Sequence, residues 1–203
     1  MMFIEKQDAP IWYLSYIENN SSIKEYKDLD GDIRQRLRKG LVDEQFHICG
    51  YCCGKIDDIS AHNEHIKPQE QCKGRESLDY NNIIASCSGY RISSDTCGHR
   101  KDNEYNESQF VSPLSPECEG HFKYFMNGEI IGDDNYAEYT IDLLNLNSGP
   151  LKNARKGVLK ASMALSCSTA SEIYLHPYDG EIQPFCNIVK YFLDNRADLF
   201  AEP

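Results

Sequence analysis

Residues that bind metal ions and residues that transfer protons lie close together near the middle of this chain. They occur in the order Cys49, Cys52, Glu64, His65, Cys97, His99. Hydrolysis of a phosphodiester bond needs a general base that deprotonates water and a divalent cation that stabilises charge on the phosphate. Histidine and glutamate can fill these roles, so the pattern predicts metal-dependent hydrolysis of nucleic acid.

Four of the nine cysteines are predicted to hold a structural zinc ion. The spacing of Cys49 and Cys52 lets one tight turn present two thiolates to a tetrahedral zinc. Cys87 and Cys97 are the best candidates for the second pair, although nine residues lie between them. If Cys87 is not used, His99 could complete the set.

The other cysteines are Cys53, Cys72, Cys118, Cys167 and Cys186. Cys53 or Cys72 could substitute in the zinc site, and otherwise each is expected to be a small buried apolar residue. The first ten residues contain no apolar run of the kind found in an export signal. A reducing, cytoplasmic location is therefore expected, which favours metal ligation or burial over disulfides.

Composition and charge limit the class of protein. With 203 residues and 40% hydrophobic residues, the chain is expected to form one globular domain, and no segment has the ~20 apolar residues of a membrane span. The net charge of -11 argues against bulk electrostatic attraction of nucleic acid. Residues 62–101 are less acidic, with six Lys/Arg against five Asp/Glu.

Hydrophobic periodicity predicts a mixture of helices and short strands. We expect a short helix after Pro10, an amphipathic helix from about Asp30 to Ile48, and a hairpin around a two-residue turn at Asn127–Gly128. Further helices are expected over residues 150–166 and from residue 184. Residues 140–146 are expected to form a short strand or an irregular segment.

The long amphipathic helix also carries a group of cations. Its polar face contains Arg34, Arg36, Arg38 and Lys39. Such a group could contact phosphates, but it is more often a solvated face.

The order of motifs resembles that of the HNH endonucleases. The elements are the Cys49–Cys52 pair, then Glu64-His65-Ile66-Lys67-Pro68, then Tyr80-Asn81-Asn82-Ile83, then Ser86-Cys87 and Cys97-Gly98-His99-Arg100-Lys101. The resemblance implies an α+β fold with a ββα-metal (HNH) core over residues 49–104. A helical region (1–48) and a C-terminal hairpin and helical region (105–203) would flank that core within a single domain of residues 1–203.

The resemblance also implies a role for each site residue. His65 would be the general base, Glu64 and His99 would bind the catalytic Mg2+ or Mn2+, and Asn82 would hold the loop that orients His65. Asn103 could share the cation. His62 and Lys101 would contact the substrate or support the ligands, and His62 is the main rival for a place as third ligand.

Strand geometry limits this arrangement. Adjacent strand residues point to opposite faces, so Glu64 and His65 cannot both face one pocket from a regular strand. We therefore expect a bend near these residues, with Pro68 ending the strand.

A narrower resemblance covers most of the chain. Segments such as Leu78-Asp79-Tyr80-Asn81-Asn82 and Leu144-Asn145-Leu146-Asn147 look like those of the small HNH (PtuB-like) subunits of Septu-type and retron-associated antiphage systems. This resemblance implies an ABC/SMC-like ATPase partner, with a retron RNA/DNA complex as a further partner, and activity that is released by a phage-related trigger. The nucleic acid that is cut, DNA or RNA, stays open.

Two other hypotheses are compatible with parts of the sequence. A non-catalytic, zinc-stabilised interaction module agrees better with the acidic charge, but it does not need Glu64, His65, Asn82 and His99 together. A zinc hydrolase that acts on peptides is disfavoured because the chain has no HExxH motif.

Overall fold

The structure, a computed structural model, describes residues 1–88 and 95–201. It combines helices with two small antiparallel sheets, which agrees with the predicted α+β class. The elements in chain order are α1 (Ile11–Asn19), α2 (Gly31–Glu44), β1 (Ala61–His65), β2 (Ile83–Cys87), α3 (Cys97–Lys101), β3 (Phe122–Tyr124), β4 (Ile130–Gly132), α4 (Asn135–Leu143), α5 (Gly149–Ser162), α6 (Cys167–Leu175) and α7 (Cys186–Asn195).

The helix α2 leads the chain to the first cysteine pair. Leu37, Leu41 and Val42 are buried, and their spacing places them on one face of the helix, which packs on β1 and β2. After the helix ends, the buried amide of Gln45 donates to the Ala85 carbonyl at 2.8 Å and accepts from the Ala85 N–H at 2.7 Å. The end of α2 is thereby fixed to the centre of β2.

The strands β1 and β2 form the sheet that carries the predicted site. Their register pairs Ala61 with Cys87 and His65 with Ile83, and α3 packs against β2. Pairing continues through His65, so the predicted bend at Glu64 and His65 is wrong. The two residues keep the ordinary alternation of a strand and point to opposite faces.

The C-terminal half is more helical than predicted. Residues 140–146 were expected to form a strand or an irregular segment; residues 140–143 instead end α4, so the prediction is wrong there, whereas residues 144–146 form an irregular turn. The buried residues Ala137, Thr140 and Ile141 have helical spacing, and Asp134 caps the helix by accepting from the Ala137 N–H at 2.8 Å. The helix begins at Asn135, so a segment read only from residue 140 onward contains too little of the helical pattern to be recognised. The helix α6 was not predicted.

Buried apolar side chains from the N-terminal, central and C-terminal regions join one main cluster. A small second cluster consists of Ile48, Cys53, Ile182 and Cys186. Within the part of the chain that is described, no helix has both the length and the apolar composition needed to cross a membrane.

The hairpin of β3 and β4 confirms the prediction, but its turn is one residue longer than expected. Phe125 and Glu129 close a three-residue loop, with the Phe125 N–H bonded to the Glu129 carbonyl at 2.9 Å. Gly128 has a φ of +83°, the left-handed conformation that such loops require at this position. The buried guanidinium of Arg155 then donates to the Gly128 carbonyl at 2.7 Å.

Replacing Gly128 by alanine is expected to lower the free energy of unfolding by more than about 1 kcal/mol. The new Cβ would overlap the backbone carbonyl of Lys152 and would sit on a residue with positive φ. Urea unfolding measures the change. Gly157→Ala is the matched control, because open space surrounds that helical glycine and the substitution should stabilise the chain slightly. Equal stability of the two variants would contradict the expectation.

Candidate functional site

The structure brings together the four cysteines predicted for the zinc site. The sulfur atoms of Cys49, Cys52, Cys87 and Cys97 all lie within 4.8 Å of one another, and all four residues are buried. Four sulfurs bound to one tetrahedral zinc at about 2.3 Å would lie about 3.8 Å apart. The group could therefore hold a metal ion of this kind.

Three separate elements deliver these cysteines. Cys49 and Cys52 belong to a tight turn closed by the Cys49 N–H, which donates to the Gly54 carbonyl at 2.8 Å. Cys87 ends β2, and Cys97 begins α3 with a φ of +58°. Cys87 and Cys97 are far apart in sequence, but they come together because the end of β2 lies beside the start of α3.

Hydrogen bonds prepare the group for negative charge. Burial opposes ionisation of Cys49, but hydrogen bonds from the other three thiols outweigh it and lower the pKa of Cys49 well below its usual value. The hydrogen bonds to Cys49 raise the pKa of Cys52 and of Cys97. Without a cation the group thus favours a single thiolate, whereas a bound divalent cation would allow further deprotonation.

The remaining cysteines do not join this group. Burial raises the pKa of Cys53 to about 11 and that of Cys118 to about 12, as expected for buried thiols without a metal. Cys72 and Cys167 are partly exposed, and Cys186 is buried. The alternative use of Cys53 or Cys72 in the zinc site is therefore not observed.

A second cluster forms where β1 faces α3. The Nε2 atom of His62 lies 3.0 Å from Oε2 of Glu64, and the rings of His62 and His99 have centroids 4.8 Å apart. The alternation of β1 puts His62 and Glu64 on the same face, and α3 presents His99 to them. Among residues 1–88 and 95–201, only the four cysteines form a set of three or more potential metal ligands whose donor atoms lie within 4.8 Å of one another. The donor atoms of the second cluster are therefore more widely spaced than those of the first.

The carboxylate of Glu64 is held on its other side by two donors. The hydroxyl of Tyr51 donates to Oε1 at 3.1 Å, and the Lys101 ammonium lies 3.0 Å from the same oxygen. Burial alone would raise the pKa of Glu64, but the hydrogen bond from His62 and the charge of Lys101 outweigh it and lower that pKa. Glu64 is therefore an anion with Oε2 turned toward His62.

Gly98 has no side chain, which allows the backbone of α3 to lie directly beside this carboxylate. A Cβ at position 98 would overlap Oε2 of Glu64 and would lie 2.6 Å from Nε2 of His62. In addition, Nδ1 of His62 is buried without a hydrogen-bond partner in the described part of the chain. His62, Glu64 and His99 are thus neighbours at this end of α3, but their donor atoms do not all lie within 4.8 Å of one another.

His65 does not join that cluster. Its ring stacks edge-on against Tyr26, with centroids 4.5 Å apart, and Nε2 donates to the Ser77 carbonyl at 2.9 Å. Because a carbonyl only accepts, Nε2 carries the proton of the neutral ring and Nδ1 keeps a lone pair. Burial lowers the pKa of His65, which favours this neutral form.

One cavity of about 230 Å³ nevertheless borders both His65 and the second cluster. Its lining includes His62, Glu64, His65, Gly98, His99, Lys101 and Asn103. Asn103 thus borders the site. Lys101, which is only 1% exposed, contacts Glu64 and the His65 carbonyl rather than solvent.

Asn82 holds the loop that follows β1. Its side chain accepts from the Lys67 N–H at 2.8 Å and donates to the Lys67 carbonyl at 3.0 Å, while the backbone Asn82 carbonyl accepts from the Ile66 N–H. Asn82 therefore fixes the chain just beyond His65 without contacting the cavity.

Several residues of the site were not identified from the sequence. Tyr51 lies between the first two cysteines, and Gly98 lies between Cys97 and His99. Their position beside predicted ligands could have identified them as residues of the site. Tyr26 and Ser77 have no such signal, because they reach His65 only through the tertiary fold.

Comparison with known proteins finds two relatives. The chain is 32% identical over 133 residues to "Retron Vc95 putative HNH endonuclease" of Vibrio cholerae serotype O1 biovar El Tor, covering 61% of this chain and 63% of that protein. It is 24% identical over 174 residues to "Retron Ec83 putative HNH endonuclease" of Escherichia coli, covering 64% and 66%. The chain thus spans just under two thirds of the length of each relative. No family model matches it.

Proposed function

Because these similarities support assigning the chain to the HNH endonuclease family, we propose that it is a metal-dependent endonuclease that hydrolyses phosphodiester bonds of nucleic acid. The observation that carries this proposal is one cavity lined by His62, Glu64, His65 and His99. The Glu64 carboxylate, the imidazoles of His62 and His99, and the neutral His65 all belong to residues that border this cavity.

In this proposal His62, Glu64 and His99 hold a divalent cation, with Asn103 at the border of the site. Two histidines and one carboxylate suit Mn2+ better than Mg2+, because imidazole is a poor ligand for Mg2+. Either ion could fill its remaining coordination positions with water or substrate oxygens. The cation would stabilise negative charge on the phosphate and on the leaving oxygen. Lys101 and Tyr51 keep the Glu64 carboxylate oriented by occupying Oε1.

His65 is the proposed general base. The Ser77 carbonyl fixes its Nε2 proton, so Nδ1 is the atom that would accept a proton from water. The ring is buried against Tyr26, which restricts its orientation. Asn82 is a proposed positioning residue, because it fixes the backbone two residues beyond His65.

The four-cysteine group is the proposed structural zinc site. It lies behind the cavity, since Cys97 directly precedes Gly98 and His99 in α3. Loss of the ion would therefore release α3 and, with it, one of the proposed cation ligands.

The proposed setting is an antiphage defence complex in the cytoplasm. The names of both relatives place them with retrons, which supports association with a retron RNA/DNA complex. The net charge of -11 supports a partner that supplies much of the attraction for nucleic acid. An ABC/SMC-like ATPase would fill this role.

Cleavage assays test the proposed function. The purified chain, with and without its genomic neighbour and ATP, is incubated with DNA and with RNA in the presence of Mg2+ or Mn2+. We expect metal-dependent cleavage that His99→Ala reduces at least tenfold. His121→Ala is the matched control, since His121 contacts Asp134 far along the chain and lines no part of the cavity. Equal activity of both variants would exclude His99 from the reaction.

A non-catalytic zinc module is the second candidate function. The observation in its favour is that Glu64 already has charged and hydrogen-bonding partners on both oxygens, as a purely structural carboxylate would. It predicts no cleavage by the wild-type chain in any combination of metal, ATP and partner.

A further inference from the structure

We propose that a row of lysines on α5 binds the phosphate backbone of a nucleic acid strand. This α5 lysine row consists of Lys152, Lys156 and Lys160. The inference rests on the proposed function for the class of ligand, and it adds a binding surface that lies outside the cavity of the candidate site.

The three lysines share one side of the helix. Each follows the previous one by four residues, so successive side chains are displaced by about 40° around the helix axis and by about 6 Å along it. Lys156 and Lys160 are exposed, and Lys152 is partly exposed. The buried side of α5 is a different one and consists of Leu151, Arg155, Leu159 and Ser162. The lysine side chains therefore form a single stripe along α5.

Positive charge is concentrated on this helix. It contains four bases and no acids, which gives it a net charge of +4 in a chain whose net charge is -11. Asp and Glu are absent from the sequence between Asp142 and Glu172. On the neighbouring helix α7, Lys190 contacts Glu119 and Asp194 at 2.9 and 3.4 Å. Within the described part of the chain, no carboxylate lies at such a distance from the α5 lysine row, so its charge can attract an anion from solvent.

The fourth base of α5 anchors the β3–β4 hairpin beside the row. Arg155, which is only 1% exposed, donates to the Gly128 carbonyl at 2.7 Å and to the Leu146 carbonyl at 2.6 Å. The backbone of Gly128 packs so closely on α5 that a Cβ there would overlap the Lys152 carbonyl and would lie 3.0 Å from the Lys156 backbone nitrogen. Because carbonyls rather than carboxylates accept these hydrogen bonds, the charge of Arg155 adds to that of the lysines.

Helix stability does not account for the row. Cations stabilise the C-terminal end of a helix, where the macrodipole is negative, and only Lys160 lies in the last turn of α5. Lys152 lies in the N-terminal half of the helix. Each lysine is four residues from the next, a spacing at which like charges repel. The row therefore lowers the stability of α5 until an anion neutralises it.

A nucleic acid strand fits this arrangement better than a single phosphate does. Phosphates recur at regular intervals along a strand, as the lysines do along α5, whereas a single phosphate needs cations that converge on one point. The residues that follow the lysines around the helix are exposed and small, namely Asn153, Gly157 and Ala161. Their short side chains allow a strand to approach the lysines closely.

The test compares two double variants of the full chain. Lys156→Gln with Lys160→Gln removes two exposed cations from the α5 lysine row, and Lys24→Gln with Lys39→Gln removes two exposed cations from other parts of the surface. Binding to a labelled DNA duplex, a labelled DNA strand and a labelled RNA strand is measured over a range of salt concentrations, without added Mg2+ or Mn2+ so that the ligand stays intact. Each lost phosphate contact should reduce the slope of log K against log salt by about 0.9 on duplex DNA or about 0.7 on a single strand.

For the α5 pair we expect a slope smaller in magnitude by about 1.8 on duplex DNA or about 1.4 on a single strand, with an unchanged melting temperature. The control pair should keep the wild-type slope, because it removes the same charge from a different place. An unchanged slope for the α5 pair, or an equal reduction for both pairs, overturns the inference.

Two further outcomes separate this inference from its alternatives. If the α5 pair keeps the wild-type slope but no longer co-purifies with the product of the neighbouring gene, the row contacts a protein and the inference is overturned. If the wild-type chain binds nucleic acid through the row but cuts neither DNA nor RNA, the inference stands and the proposed nuclease function fails.

Discussion

A Cys52→Ala variant is expected to lose its bound zinc and to unfold at a much lower temperature than the wild-type chain. The Cys52 sulfur lies in the buried four-cysteine group, 4.0 Å from that of Cys87. Zinc sites of this kind contribute on the order of 10 kcal/mol in small peptides, comparable with the whole stability of an ordinary domain at about 5–15 kcal/mol. Metal analysis of the purified protein and thermal unfolding measure the two effects.

Cys53→Ala is the matched control because it changes the next residue along the chain. Cys53 is equally buried, but its thiol packs in the small cluster with Ile48, Ile182 and Cys186. Its loss should cost about 1 kcal/mol of packing and leave the zinc content unchanged. Full zinc content and normal stability in Cys52→Ala would remove the four-cysteine group as a metal site.

A His65→Gln variant is expected to fold, to retain zinc and to lose cleavage activity by about 10²–10⁴-fold, the usual contribution of a general base. Glutamine can keep an N–H donor near the Ser77 carbonyl, which the Nε2 atom of His65 bonds at 2.9 Å. It has no group that takes a proton from water near neutral pH. Single-turnover cleavage at a saturating concentration of Mn2+ measures the loss.

His121→Gln is the control for this substitution, and thermal unfolding of both variants separates a catalytic loss from a structural one. The ring of His121 is partly exposed and bonds Asp134, outside the cavity. If His65→Gln melts normally and cleaves within tenfold of wild type, His65 is not the general base, and a water molecule activated by other residues must be considered.

The sequence alone determined those features that depend on neighbouring residues. The spacing of Cys49 and Cys52 required a tight turn, and the helical spacing of Leu37, Leu41 and Val42 predicted α2. Side chains alternate with a period of two along a paired strand, but we predicted from the sequence a bend at Glu64 and His65, and the structure instead keeps the regular alternation of β1. That alternation places His62 with Glu64 and separates both from His65.

The tertiary structure decided which of these residues meet. The pairing of Cys87 with Cys97 depends on where the end of β2 lies relative to the start of α3, and α3 also selects His62 and Glu64 as the neighbours of His99. His65 acquired Tyr26 and Ser77 as partners from distant segments. Local periodicity fixes the direction of a side chain relative to its own backbone, whereas the identity of the facing element depends on packing between segments far apart in sequence.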